Sequence, residues 1–410
     1  MIPAPGSLSN MVASLPIAFG TFRQLVLCAA LSSLLQLSAC RSSTQAKDLH
    51  PVDSSIIQLP KPVAINKAEY QRLNQACQYW FDTVLKNSSF NGGMLVTKNG
   101  NIVFETYKGT AHLGQQDSIN AGTVFHIASV SKTFTAMAVL KLWEQGRLNI
   151  DSSYQHYFSA FNYPGVTVRS LLNHRSGLPN YLYFMDELGW DKSKFITNRD
   201  VLDTLIVRKA DIKNIGAANA RFNYCNTNYA LLALLVEKIS GQSFPHFMDS
   251  CFFKPLQMFH TFIYTPADSN RITPSYDWRG VEITTGFLDQ VYGDKNVYSN
   301  VRDLSTWDRA LSKTNILSAA SLQQAYSPYS NERPGVKNYG LGWRMNVYGA
   351  GKKVIFHNGW WHGNNAVFIR LIPEDATIIV TGNRYSNAIY KAKQLINIFN
   401  DYQVEDETEE

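Results

Sequence analysis

Ser129 and Lys132 stand three positions apart in FHIASVSKTF (residues 125–134), at the head of a long apolar run. On a helix two side chains at that spacing share a face. A serine hydroxyl is a poor nucleophile alone and needs a neighbouring base. An amine packed into an apolar helix end can serve, because burial removes the hydration that favours its charged form. The positive end of the helix would favour an anion at Ser129, and a backbone N–H there can face a developing oxyanion. The same string also fits a surface helix start, with Ser129 as a cap and Lys132 in solvent.

Two further strings shift the balance toward chemistry. FNYCNTNYALLALL (222–235) carries Tyr224 and Asn226 two apart, just before a helical pattern. IFHNGWWHG (355–363) carries His357, Asn358 and Gly359 at the end of a β-pattern. The other candidates read as structural. His174, in NHRSGLP, suits bonding to loop backbone, and Cys225 suits small buried filler. His357 and His362 lie five apart with no third ligand in view, so no metal site is expected. GAGKK at 349–353 lacks the first glycine of a P-loop and reads as a turn. The absence of a G-x-S-x-G string argues against a nucleophile elbow.

The elements that must position these residues follow from the pattern. A helix is expected over 66–86. GGMLVTKNGNIVFETYKG reads as a hairpin turning at Asn99-Gly100, a type I′ signal. The run from Ser129 to Trp143 is apolar on nearly every side and stops before Gly146, which predicts a buried helix with a glycine cap. Residues 147–290 are mixed and mostly helical, with Gly241 ending one helix. KKVIFHNG, NNAVFIRLIP and ATIIVTGNRY predict three successive strands, then a helix over 387–400 and an acidic tail at 401–410. Strands at both ends with helices between imply one α+β domain over 66–400, its sheet assembled from distant parts of the chain.

Composition is compatible with that domain. The chain has 410 residues, 45% hydrophobic and 17% charged, with a formal charge of +6. No dense Lys/Arg block with interleaved aromatics is present, which argues against a nucleic-acid partner. Arg23 precedes an apolar stretch too short to span a bilayer as a helix, ending in LSAC at Cys40. That ending resembles a bacterial lipobox. It implies a signal peptide over 1–40, lipidation of Cys40, and a tether at 41–65. The expected location is therefore the cell envelope, lipid-anchored and facing the periplasm. Cys77, Cys225 and Cys251 then remain, an odd number that permits at most one disulfide.

With these strings in order, the chain resembles the serine β-lactamase-like hydrolases: class C β-lactamases, D-alanyl-D-alanine carboxypeptidases and related esterases. LLNHRSGLPNY (171–181), GDKNVYSNVRDLSTW (293–307) and YGLGWRM (339–345) are similar to further landmarks of that family. The resemblance implies a mainly antiparallel sheet flanked by helices, with an inserted helical subdomain at about 147–290. It implies that Ser129 forms an acyl-enzyme, that Lys132 takes its proton, and that Tyr224 relays protons to the leaving group and the hydrolytic water. Asn226 would hold the substrate's amide carbonyl, and the backbone N–H groups of Ser129 and Trp360 would form an oxyanion hole. Gly359 would allow backbone close to substrate, beside His357 and Asn358, where many members carry lysine and threonine. A histidine there is mostly neutral at pH 7, so its pull on a substrate carboxylate is weaker. The expected function is an exported serine hydrolase without a cofactor, monomeric, favouring D-amino-acid peptides. Esterase and β-lactamase activities share the same site residues and stand as alternatives, as does a non-catalytic cell-envelope binding protein.

Overall fold

Asn99 and Gly100 both take positive φ, 54° and 76°, and turn the chain between β1 (Gly92–Lys98) and β2 (Asn101–Lys108), as the Asn-Gly signal requires. The structure is a computed structural model that describes residues 55–313 and 316–402. The expected signal peptide, Cys40, most of the tether and the end of the acidic tail lie outside the described residues. Ten further strands follow. Three are short ones, β3 (Phe125–His126), β4 (Phe262–Ile263) and β7 (Val297–Ser299), and they pair as β3-β7-β4. A two-stranded ladder joins β5 (Ser275–Tyr276) to β6 (Glu282–Ile283).

The main sheet takes its remaining strands from the C-terminal part: β8 (Lys337–Tyr339), β9 (Arg344–Val347), β10 (Lys353–Trp361), β11 (Asn364–Leu371) and β12 (Ala376–Gly382). Its order is β2-β1-β12-β11-β10-β9-β8, and every neighbouring pair is antiparallel. The expected assembly from distant parts is made at β1–β12, where Gly92 lies opposite Gly382.

Strand side chains alternate, so each strand feeds two cores. Met94, Val96, Val354, Phe356, Val367, Ile369, Ile378 and Val380 pack with Leu73, Cys77, Phe81 and Leu395 from the two terminal helices. Leu95, Ile355, Phe368 and Ile379 face the other way, onto Phe134, Met137, Leu231 and Trp307. Burial on both faces explains why these strands read as near-continuous apolar runs. The first terminal helix runs Lys67–Trp80 and continues as π-type turns to Leu85. The last, expected as a helix over 387–400, is wound as 3₁₀ turns over Asn387–Ile398.

The central helix, Ser131–Glu144, is buried around its circumference and lies against the Asn226–Ser240 helix. Both end where a glycine takes positive φ, Gly146 at 66° and Gly241 at 75°. One boundary differs from expectation. Ser129 does not open the α-helix but sits in a preceding 3₁₀ turn, Ala128–Val130, in which Ala128 has φ 47°. A left-handed alanine is costly, and here it redirects the chain immediately before Ser129.

Candidate active site

Three elements converge on Ser129. The central helix brings Lys132, whose amine nitrogen lies 3.0 Å from Ser129 Oγ and donates to the Asp294 carbonyl at 2.8 Å. Lys132 is fully buried, whereas Ser129 is half-buried and open on one side. The irregular stretch before the Asn226–Ser240 helix brings Tyr224, whose ring centre is 5.0 Å from Lys132 Nζ. Asn226 is the first residue of that helix and is half-buried.

The third element is β10. Its pairing with β9 stops at Phe356–Arg344, while its pairing with β11 runs on to Trp361–Asn364. Beyond Phe356 the open edge of β10 lies against the Ser129 turn: a Cβ added to Gly359 would fall 2.3 Å from the Ile127 carbonyl oxygen. The glycine is therefore required by the Ser129 turn itself, a neighbour the motif alone did not reveal. An N–H on this strand edge and the N–H of Ser129 can converge on one oxygen. Gly359→Ala should force β10 off the turn. We expect the acylation rate to fall by roughly 100-fold, as for an ångström-scale misplacement. Stopped-flow labelling of the purified variant would check this, and a loss below threefold would contradict it.

The remaining predicted residues are placed differently from one another. His357 is fully buried; Nδ1 lies 2.7 Å from the Asn358 carbonyl and Nε2 3.2 Å from the Tyr339 hydroxyl. Burial, then the charge of Arg344, holds it well below the ordinary histidine pKa, so it is neutral. Asn358 is half-buried. The Trp360 indole is 63% exposed, and its Nε1 donates to the His362 carbonyl at 2.8 Å. His174 accepts the Cys225 N–H, the backbone role expected of it. Cys225 is buried, as expected of filler, and burial raises its thiol pKa. Cys77, Cys225 and Cys251 are all free thiols.

Several neighbours were missed by reading the sequence. The Arg344 guanidinium lies 5.0 Å from the Tyr224 ring centre and forms no ion pair among the described residues. It lies in the string YGLGWRM, but its place beside Tyr224 depends on a strand pairing that no spacing reveals. Beneath the Ser129 turn, His126 Nδ1 accepts the Ala128 N–H at 3.1 Å, and Nε2 meets Asn296 Oδ1 at 3.0 Å. Burial, only partly offset by the Asn296 hydrogen bond, pushes His126 down to about 4. Asn296 Nδ2 in turn donates to the carbonyls of Asp289 and Val291, at 2.7 and 3.0 Å. Next to it Lys295 and Asp294 form a buried pair, 3.7 Å apart, and Tyr181 donates to Asp294 at 3.0 Å. The residue that presents a carbonyl to Lys132 is thus itself fixed on its side-chain end.

Comparison with known proteins gives the family. Residues 80–396 match the Beta-lactamase family. A penicillin-binding protein of Bacillus subtilis (strain 168) is 31% identical over 361 residues, covering 82% of this chain and 78% of the relative. The protein flp of Staphylococcus aureus (strain NCTC 8325 / PS 47) is 26% identical, over 80% of this chain and 67% of its own. Among solved structures, a penicillin binding protein from Bacillus halodurans has a TM-score of 0.68 at 23% identity, over 82% of this chain and 99% of that one. An octameric penicillin-binding protein homologue from Pyrococcus abyssi has a TM-score of 0.66 at 21% identity, over 80% and 77%. A D-stereospecific amidohydrolase from a Streptomyces species has 0.60 at 20% identity, over 82% and 99%. These likenesses give the fold, and the family match over most of the chain gives the lineage: this protein belongs to the beta-lactamase family of serine hydrolases.

Proposed function

We propose that this protein hydrolyses an amide through an acyl-enzyme on Ser129, on peptides that end in a D-amino acid with a free carboxylate. The observation that carries the reading is the fully buried Lys132 amine 3.0 Å from a half-open serine hydroxyl. In the first half-reaction Ser129 Oγ bonds to the substrate carbonyl carbon as its proton passes to Lys132. The resulting oxyanion is met by the N–H groups of Ser129 and Trp360. Tyr224 hands a proton to the leaving nitrogen as the C–N bond breaks. In the second half water attacks the ester, its proton returns through Tyr224 and Lys132, and the Oγ–C bond breaks. The products are a carboxylic acid and an amine. Asn226 holds the acyl amide, and His357, Asn358 and Gly359 form the strand wall.

A substrate carboxylate is favoured by Arg344 and not by His357, and an amide over an ester by the names of two relatives. His357 is neutral and offers a substrate anion no charge. Arg344, on the adjacent strand and over the Tyr224 ring, supplies a cation that no protein carboxylate occupies among the described residues. The name of the 31% identical relative records penicillin binding, and that of one fold neighbour records D-stereospecific amide hydrolysis. With Cys40 lipidated, the enzyme would work at the cell envelope.

The test uses an N-acylated D-alanyl-D-alanine, its C-terminal amide, and a penicillin. We expect D-alanine release from the free acid and a penicillin adduct seen as an intact-mass increase. Both should be absent from Ser129→Ala, and Arg344→Ala should raise KM for the acid but not for the amide. Hydrolysis of simple esters alone, with neither dipeptide cleaved, would overturn the substrate assignment. Failure of a fluorophosphonate to label Ser129 would overturn the acyl-enzyme itself.

A further inference from the structure

Tyr224 lies in a stretch with no helix or strand to hold it. Residues 212–225 run irregularly, and Cys225, which caps the following helix, makes no side-chain cap bond. That stretch is stitched instead to residues 174–177. Gly216 N–H donates to the Gly177 carbonyl at 2.8 Å, and Asn219 N–H to the Arg175 carbonyl at 2.7 Å. The last two stitches both go to His174 and enclose Tyr224. Asn223 N–H donates to the His174 carbonyl at 2.9 Å, and Cys225 N–H donates to His174 Nδ1 at 3.1 Å.

The His174 ring is fully buried, and its centre is 4.4 Å from the centre of the Tyr224 ring. Asn228 Nδ2 also approaches Nδ1, at 3.3 Å. With Nδ1 accepting, the ring proton belongs on Nε2, which has no hydrogen-bond partner among the described residues. Burial, the largest cause, keeps the ring neutral and so keeps Nδ1 an acceptor. The backbone at His174 has φ 58°, a region where a side chain is kept only under local compulsion. A residue serving only as core filler would need neither that backbone nor an acceptor at Nδ1.

We propose that His174 is the positioning residue for Tyr224: its carbonyl and its Nδ1 grip the backbone on either side of the tyrosine, and its ring forms the floor under the phenol. The inference rests on Tyr224 serving as the acid/base group, as proposed above. It makes the phenol's position a property of one neutral imidazole, remote in sequence from all three catalytic strings. Asparagine is the conservative substitute. It tolerates positive φ and places an amide oxygen near the position of Nδ1.

The test is a double-mutant cycle read as the second-order rate of Ser129 labelling by a penicillin, whose ring nitrogen must take the proton assigned to Tyr224 when the C–N bond breaks, with the thermal midpoint recorded for each variant. His174→Ala should slow labelling by roughly 10- to 100-fold, the scale of a misplaced catalytic group. His174→Asn should restore the rate to within a few fold. In a Tyr224→Phe background His174→Ala should add no further loss, because the group it positions is already gone. If His174→Ala does not fold, His174→Gln replaces it, since its acceptor is displaced by one bond. Equal losses in both backgrounds, or no recovery in a folded His174→Asn, would overturn the proposal. A normal rate in His174→Ala with a slow Tyr224→Phe would overturn it while leaving Tyr224's role intact. A normal rate in Tyr224→Phe alone would remove the parent reading and this inference together.

Discussion

Lys132→Met should lower the rate of Ser129 acylation by about 10⁴-fold, the upper range for losing a general base, without lowering the thermal midpoint. The two halves of this expectation come from the same geometry. Lys132 Nζ lies 3.0 Å from Ser129 Oγ, and the hydroxyl has no other hydrogen-bonded base among the described residues. Yet Lys132 is 0% exposed and forms no ion pair among the described residues; its other partner is the Asp294 carbonyl. Burying an amine without a carboxylate carries a desolvation cost that a methionine of similar shape avoids. Against this stand two lost hydrogen bonds, to the Asp294 carbonyl and to Ser129 Oγ, worth about 1 kcal/mol each. Stability should therefore hold or rise while activity disappears, the signature of a residue kept for function. Labelling kinetics and a thermal melt on the same preparation decide it. Labelling within tenfold of the parent would remove Lys132 from the base role, and a midpoint lowered by many degrees would make it structural.

The parts of this site legible in the sequence are those whose geometry is local. Ser129 and Lys132 meet because a helical turn brings positions three apart onto one face. The hairpin at Asn99-Gly100 and the helix stops at Gly146 and Gly241 follow from backbone preferences of the residues themselves. The long apolar runs of β10, β11 and β12 reflect a sheet covered on both faces. What could not be read depends on chain segments that meet only after folding. Arg344 reaches Tyr224 through the β9–β10 register, and the Asp294 carbonyl reaches Lys132 across 162 residues. The reason for Gly359 was legible in kind, as a close backbone approach. Its partner, the Ile127 carbonyl, was not. The offset of Ser129 into a 3₁₀ turn was hidden too, because it follows from Ala128 at positive φ, held by the ring of His126.

That buried ring, with two others, makes the fold sensitive to acid. His126 is pushed down to about 4, and His174 and His357 lie well below the ordinary value; burial is the largest cause in all three. An unfolded histidine titrates near about 6.5. Between that value and the folded one, the unfolded chain binds a proton that the native chain refuses. Stability is therefore complete above about pH 6.5 and declines as the pH falls toward 4. His126 alone accounts for about 3 kcal/mol over that interval, at roughly 1.4 kcal/mol per pH unit. The other two add losses of the same sign. A domain stable by about 5–15 kcal/mol should then show a urea midpoint that drops steeply between pH 7 and pH 4.5. The slope should exceed the one-proton value while all three rings are present. Replacing His126 by glutamine, which does not titrate, should cost stability at pH 7, because the Ala128 N–H and Asn296 lose well-placed partners. It should nevertheless flatten the pH slope by close to one proton. The acid loss and the Ser129 turn share a cause, since the Nδ1 that must stay bare to hold Ala128 is the atom that excess protons would claim. A urea midpoint unchanged from pH 7 to 4.5 would mean that these rings already share protons with solvent, and that the Ser129 turn is held by something other than His126.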